Sequence, residues 1–299
     1  MRITVRVPAT SANLGPGFDC FGLALELCNE VTIDTDAEPG VTWEGEGAVE
    51  LPTDGSDLVS RTIAHVGSLH DMRPPPLRLS ALNRIPLERG LGSSSAAAVA
   101  GVVLGSRIFD LSIDGHNAPP DSMPSHDAHS VFAIAARIEG HPDNAAAAAF
   151  GGFTIAPPDG DVRRLDVDPA VRPVALVPLD VRLPTAEARR ALPDRVDRAD
   201  AIFNAAHAAL VVEALTRDPS LLRAALRDRL HQEVRLDLVP AVREVFRDLV
   251  GAGIPACVSG AGPSLLAFES DERPVPDLGE GWRVLRTAVR PTGFEVLPS

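Results

Sequence analysis

The stretch "RGLGSSSAAAVAG", residues 89–101, constrains this chain more than any other. Two glycines and three serines run without a break into small apolar residues that favour a helix. Glycine lets a backbone take positive φ and come close to a ligand. The first turn of a helix carries unpaired N–H groups and the positive end of the helix dipole, so a loop feeding straight into a helix start suits an anion. The competing readings are a flexible linker and a serine-capped helix. A linker does not fit, because the helix expected over 93–109 is apolar nearly all round and has to be buried. A simple cap needs neither two glycines nor three serines. Phosphate is therefore the expected ligand, although the GxxxxGK pattern of a Walker loop is absent.

Composition narrows how an anion could be held. The net charge is −13, so there is no basic footprint for nucleic acid. The 28 basic residues are all arginine. Having no lysine removes a Walker lysine, a Schiff-base lysine and a lysine general base. What remains is main-chain amides, a helix end, a metal or a few arginines. Cys20, Cys28 and Cys257 show no zinc spacing and no disulfide framework, and are expected as buried reduced thiols. No apolar run is long enough to span a bilayer. The alternating start "MRITVRVPAT" does not read as a signal peptide. A cytoplasmic protein without membrane or nucleic-acid partners is expected.

Hydrophobic periodicity sketches an α+β chain with mixed or antiparallel sheets. "ITVRVPA" alternates as a half-buried strand does, and "LALELCNEVTIDTD" reads as a strand pair. "GVTWEGEGA" and "PLRLSAL" extend a strand-rich first part to residue 92. After the helix at 93–109 come a polar loop over 112–128, a helix over 129–138, and a strand and turn in "FGGFTIAPPDGD". The Pro-, Asp- and Gly-containing segment near 157–172 is the expected boundary, dividing the chain into 1–160 and 161–299. Beyond it lie a strand at 173–179, helices across 186–230, and a helix at 240–250 with Gly251 as C-cap. Two short strands around "SGAGPS" and a final strand "GWRVLRTAV" complete the chain.

Four further motifs carry chemistry. "PATSANLGPGFDCFG", residues 8–22, puts Asn13 and Asp19 on a glycine turn, which on its own is accounted for by Asx capping. "EGHPDNAA" gathers Glu139, His141, Asp143 and Asn144. Carboxylates near phosphates point to Mg²⁺, while Asp143 or Asn144 could equally cap the alanine run. In "PTAEARRAL", Thr185 and Arg189 are four apart and share a helix face, a pairing that suits a carboxylate. "SGAGPS" is either part of a phosphate site or a tight hairpin. His116, His126 and His129 belong to a stretch read as solvated loop and are assigned no function.

Taken in order, these motifs resemble the GHMP small-molecule kinases. The three signatures of that family fall at 8–22, at 86–97 ("PLERGLGSSSAA") and at 256–268 ("ACVSGAGPSLLAF"). "TSANLGPGFDCFG" together with "EGHPDN" is similar to the subgroup that phosphorylates homoserine. The resemblance implies a ribosomal-protein-like N-terminal domain, a ferredoxin-like C-terminal domain and a site between them. It implies that Pro86, Leu87, Glu88, Arg89, Gly90, Leu91, Gly92, Ser93, Ser94, Ser95 and Ala96 wrap ATP. Ser94 or Ser95, with Glu139, would hold Mg²⁺. Asn13, Asp19, His141, Asp143, Thr185, Arg189 and Arg235 would form the amino-acid site, with the two arginines on the α-carboxylate and Asp19 on the amino group. The turn at 260–263 would brace the phosphate loop. Asp143, His141 and Asn144 are the catalytic candidates, and a reaction without a strong base is also chemically tolerable, since a loose transition state needs little early deprotonation. Homoserine and ATP are the implied small-molecule partners, with a homodimer as the candidate assembly. A kinase of another small alcohol and a non-catalytic sensor are the rival readings.

Overall fold

The computed structural model describes residues 1–111, 128–159 and 161–298. The chain opens with β1 (Arg2–Ala12), which runs antiparallel to the long β2 (Phe21–Asp34). The expected strand pair in "LALELCNEVTIDTD" is this one continuous strand. Burial in β1 alternates up to Val7 and is then continuous to Ala12. A register shift between Pro8 and Ala9 marks the change. The edge strand β3 (Gly40–Gly45) is followed by α1 (Leu58–Ser68) and β4 (Arg78–Asn83). The first part is thus not purely strand. Asp57 caps α1 by accepting from the Ser60 amide at 2.9 Å, and Val59, Ile63 and Val66 bury one face of the helix.

The glycine–serine stretch enters α2 (Ser93–Ile108), buried on most sides as expected. Next come α3 (Ala128–Glu139), α4 (Pro142–Phe150), β5 (Phe153–Ile155) and β6 (Arg163–Leu165). The loop expected over 112–128 lies outside the described residues up to 127, together with His116 and His126; His129 is in α3, edge-on to Phe150. α4 begins at Pro142 with His141 as N-cap, so neither Asp143 nor Asn144 is the cap; both sit in its first turn.

The second part starts with β7 (Pro173–Pro178), followed by α5 (Thr185–Arg190), α6 (Arg198–Thr216), α7 (Leu222–Ala225), α8 (Gln232–Leu238) and α9 (Pro240–Gly251). Gly251 is the last residue of α9, and the left-handed residue that turns the chain is Gly253, at φ 81°. β8 (Ala256–Val258), β9 (Leu265–Phe268) and β10 (Trp282–Arg286) join β7 in a four-stranded antiparallel sheet of order β10-β7-β9-β8. β10 is not the final strand. The chain returns as β11 (Glu295–Leu297), antiparallel to β1, so the first sheet reads β11-β1-β2-β4-β3, with β5 against β2 and β6 against β5.

One large core lies between the first sheet and α1–α4 and continues past α6 and α7 to one face of the smaller sheet, and a second lies between the other face of that sheet and α8–α9. Among the described residues no helix is long and apolar enough to cross a membrane. Cys28 and Cys257 are buried and Cys20 is half-buried, and burial raises all three thiols, Cys257 to about 12.

The position of α2 depends on small residues facing α1. A Cβ at Gly101 would sit 2.5 Å from Thr62 Cβ, and one at Gly105 would sit 3.0 Å from Val66 Cβ. Gly101→Val is expected to lower stability by about 2–4 kcal/mol, as overpacked core positions do. Urea unfolding of the variant measures it, and an unchanged midpoint would show that α2 is free to shift.

Candidate active site

Three glycine turns from distant parts of the chain meet in one floor. Ser259 Oγ donates to the Gly90 carbonyl at 2.7 Å and shares a second hydrogen bond with Ser11 Oγ at 2.8 Å. The Gly260 amide donates to the Ala12 carbonyl at 3.1 Å, and Thr10 N donates to Leu91 O at 3.1 Å. The hydrogen bond to the glycine loop comes from Ser259, one residue before the expected 260–263 turn. A Cβ on Gly90 would collide with the Ser259 carbonyl, and one on Gly92 with Thr10 Oγ1. With φ values of 72° and 68°, both positions call for glycine.

Above this floor lies a cavity of about 710 Å³. On its lining, Gly92 is the N-cap of α2 and no side chain caps the helix, so the amides of its first turn are not satisfied by a cap. Ser94 Oγ and Ser95 Oγ both donate to Glu139 Oε2, at 2.8 and 2.6 Å. Two hydroxyls and a carboxylate thus converge across α2 and α3. Among the described residues no group of three or more His, Cys, Asp or Glu side chains could hold a metal. Pro86, Leu87, Glu88, Arg89, Gly90, Leu91, Gly92, Ser93 and Ser94 line the cavity, whereas Ser95 and Ala96 lie just beneath the lining and are buried. Arg89 turns away from the loop: Nε donates to Pro178 O at 2.7 Å, and Nη2 to Leu179 O.

The same cavity holds the charged residues. Asn13, His141, Asp143, Asn144, Thr185, Arg189 and Arg235 all line it. Asp19 reaches it through Arg189, whose Nη1 and Nη2 grip the two Asp19 oxygens at 3.0 and 2.7 Å. Asn13 is buried with both polar ends engaged: Nδ2 donates to Gly260 O at 2.8 Å and Oδ1 accepts from Asp19 N at 3.0 Å. It shapes the turn that presents Asp19. Thr185 is exposed at the head of α5. Asn144 Oδ1 accepts from Thr10 Oγ1 at 2.8 Å, tying α4 to β1.

Burial sets the proton chemistry. It raises Asp143 from 3.8 to about 6, against the opposing hydrogen bond from Asn144 N at 2.7 Å. It lowers His141, and the Arg189 guanidinium lowers it further, so the imidazole is neutral near pH 7. Burial also lowers Arg235 to about 10, still a cation at that pH.

Trp43, Asp57 and Asn83 also line the cavity, and no local motif marks them in the sequence. Glu50 reaches across to Arg182 in a paired contact of 2.8 and 2.8 Å, and Glu46 meets Arg283 at 2.6 Å. Arg182 holds the Glu50 carboxyl below its usual value. These pairs tie the segment after β3 to the second sheet.

Residues 57–152 match the GHMP kinases N terminal domain, and residues 201–283 match the GHMP kinases C terminal domain. The chain belongs to the GHMP kinase family. Its two-domain α+β fold is that of the family. It is 45% identical to the homoserine kinase of Clavibacter michiganensis, over 90% of this chain and 83% of the relative. It is 43% identical to the homoserine kinase of Streptomyces avermitilis, over 99% of this chain and 96% of that one. The crystal structure of homoserine kinase from Cytophaga hutchinsonii superposes with a TM-score of 0.81 at 25% identity, covering 99% of this chain and 97% of the other.

Asp143 is held where its charge is costly. Folded, it keeps its proton up to about pH 6; unfolded, only to about 3.8. Its contribution to stability is present below the lower value and is lost as pH rises through the higher one. Asp143→Asn is therefore expected to raise unfolding stability above pH 6 by on the order of 2–3 kcal/mol, with the gain shrinking toward pH 4. Melting curves of both proteins across that range measure this, and a pH-independent difference would contradict it.

Proposed function

We propose that this protein transfers the γ-phosphoryl group of ATP to the side-chain hydroxyl of L-homoserine, giving O-phospho-L-homoserine and ADP. One observation carries the reading. The guanidiniums of Arg189 and Arg235, the first of them paired with the Asp19 carboxylate at 2.7 Å, line the same cavity as the glycine–serine loop. That is the charge pattern a zwitterionic amino alcohol requires, and the homoserine kinases similar to this chain over nearly its whole length support it. A small acid or a neutral polyol offers no ammonium for Asp19.

In this reading residues 1–160 supply the phosphate loop, and residues 161–299 supply Thr185, Arg189 and Arg235. The amides from Gly90 to Ala96 and the start of α2 hold the phosphates, with Pro86 to Arg89 forming the approach to that loop. The Ser94, Ser95 and Glu139 oxygens fit Mg²⁺, a hard ion that takes oxygen ligands. Such an ion neutralises charge on the phosphate oxygens. The Asp19–Arg189 pair then opens by exchange: the substrate ammonium takes Asp19, and its carboxylate takes Arg189 and Arg235, with Thr185 beside Arg189 on α5. Each buried charge is left paired, which limits the desolvation penalty. The substrate is held at both ends, and its hydroxyl is left directed at the γ-phosphate.

Asp143 is the group that accepts the hydroxyl proton. A carboxylate titrating near 6 is ionised at neutral pH yet basic enough to help. His141 stays neutral beside it, and Asn144 keeps α4 in place through Thr10. A loose phosphoryl-transfer transition state asks little of a base, so Asp143→Asn is expected to keep measurable turnover.

A coupled ADP assay with ATP, Mg²⁺ and homoserine tests the activity directly; no ADP, or equal ADP with other small alcohols, would sink the proposal. Arg189→Ala is expected to raise the homoserine KM by about tenfold or more, the loss of a charge-assisted pair, with the ATP KM almost unchanged. Normal homoserine saturation in that variant would remove Arg189 from the site. Ser94→Ala and Ser95→Ala are each expected to lower kcat/KM for Mg·ATP by about tenfold, the effect of one lost polar contact to a charged ligand. Wild-type values in both would remove the loop assignment.

A further inference from the structure

Behind Arg235 lies a buried polar group that the chemistry above leaves unused. His231 is 1% exposed. Its Nε2 is 2.8 Å from the Gly15 carbonyl, and its Nδ1 is 3.1 Å from Arg235 Nη1. Its ring stacks on Phe18 at 5.1 Å, and the Arg235 guanidinium lies over the same phenyl ring at 5.3 Å. Asp228 fixes the backbone here by accepting from the amides of Leu230, His231 and Gln232, at 3.1, 2.8 and 2.8 Å, and from Asn204 Nδ2 at 2.7 Å.

Only one form of the ring satisfies both contacts. A carbonyl can only accept, and a guanidinium can only donate. Nε2 must therefore carry the proton, and Nδ1 must offer its lone pair. An imidazolium or the opposite tautomer would set one N–H against another. Burial drives His231 toward the neutral form, consistent with this geometry.

The consequence falls on Arg235. Its Nη1 spends its two protons on Gly260 O, at 2.7 Å, and on His231 Nδ1. The Nε–Nη2 edge takes part in neither bond, and Nε is buried with no hydrogen-bond partner among the described residues. A long arginine side chain has many rotamers, and the two acceptors on Nη1 hold it in one of them.

We propose that His231, uncharged and protonated on Nε2, is a positioning residue that sets the Arg235 fork for the substrate carboxylate and ties it to the Gly15 turn beside Asp19. The proposal rests on the reading that Arg235 receives the carboxylate of homoserine, and the test separates the two. His231→Gln keeps a donor toward Gly15 and loses the acceptor at the Nδ1 position. His231→Asn keeps an acceptor there. Each is measured with homoserine and with 3-aminopropan-1-ol, the same molecule without its carboxylate, followed as a substrate or as a competitive inhibitor.

His231→Gln is expected to weaken homoserine by about tenfold or more, as loss of a positioning contact does, while 3-aminopropan-1-ol and the ATP KM change by less than about twofold. His231→Asn is expected to recover most of that loss. Equal losses for both molecules, no loss for either, or no recovery with Asn would overturn the positioning role. A wild-type protein that does not distinguish homoserine from 3-aminopropan-1-ol would instead overturn carboxylate recognition itself, and the proposal with it. Nitrogen-15 NMR of the histidine rings in the unmodified protein gives an answer even if neither variant folds. An Nε2–H His231 with bare Nδ1 at neutral pH is expected, and the reverse tautomer or an imidazolium would refute the proposal.

Discussion

The oxygen of Gly260 accepts from Asn13 Nδ2 and from Arg235 Nη1, while the amide of the same residue donates to Ala12. One residue of the smaller sheet's turn thus secures the strand that carries the first glycine turn, the asparagine that shapes it and Arg235 in the cavity. Its neighbour Ser259 holds Gly90, and with it the start of α2. The three signatures have to be glycine-rich because their main chains must come within hydrogen-bond distance of one another. A single Cβ at Gly90 would separate two of them. The glycine–serine loop and Arg235 are consequently parts of one hydrogen-bonded unit.

That unit concentrates unfavourable features. Asn13, Leu14 and Gly15 are left-handed in succession, at φ 71°, 48° and 72°, and Asp19 is left-handed at 56°. Non-glycine residues in this region cost about 1–2 kcal/mol each. Asp143 is buried with a raised titration point, and the Nε atoms of Arg189 and Arg235 are buried without partners among the described residues. The compensation comes from elsewhere. Val5, Val7, Ile33, Leu79, Val99 and Leu104 form a core that a ligand does not touch, and the smaller sheet has its own around Val174, Leu176 and Leu265. The strained and unpartnered groups thus gather around the cavity, and the close packing lies away from it.

The parts legible in the sequence are those whose signal is local. The loop at 89–96 announced itself because glycine, serine and an apolar helix are contiguous, and Thr185 and Arg189 share a face of α5 because four residues make one turn. α1 was legible in principle: Val59, Ile63 and Val66 keep helical spacing behind the Asp57 cap, but short β-branched runs read equally as strand. β11 carries no signal of its own, since three residues become a strand only by pairing with β1. The Asp19–Arg189 pair joins residues 170 apart, and nothing in either neighbourhood specifies the other. Trp43 and Asn83 come to the cavity from adjacent ends of β3 and β4, a placement set by sheet register. The expected C-cap at Gly251 was one residue early: Ala252 is the cap of α9, and the αL turn falls at Gly253.

In the proposed reaction the triphosphate is gripped by main-chain amides where the glycine–serine loop enters α2, and the amino alcohol replaces the Asp19–Arg189 contact. A crystal structure with a non-hydrolysable ATP analogue, Mg²⁺ and homoserine tests both together. The account predicts phosphate oxygens within hydrogen-bond distance of the amides between Gly90 and Ala96, and Asp19 and Arg189 parted around the ammonium and carboxylate of homoserine. A triphosphate lodged away from that loop, or homoserine bound with the Asp19–Arg189 pair still closed, would contradict it.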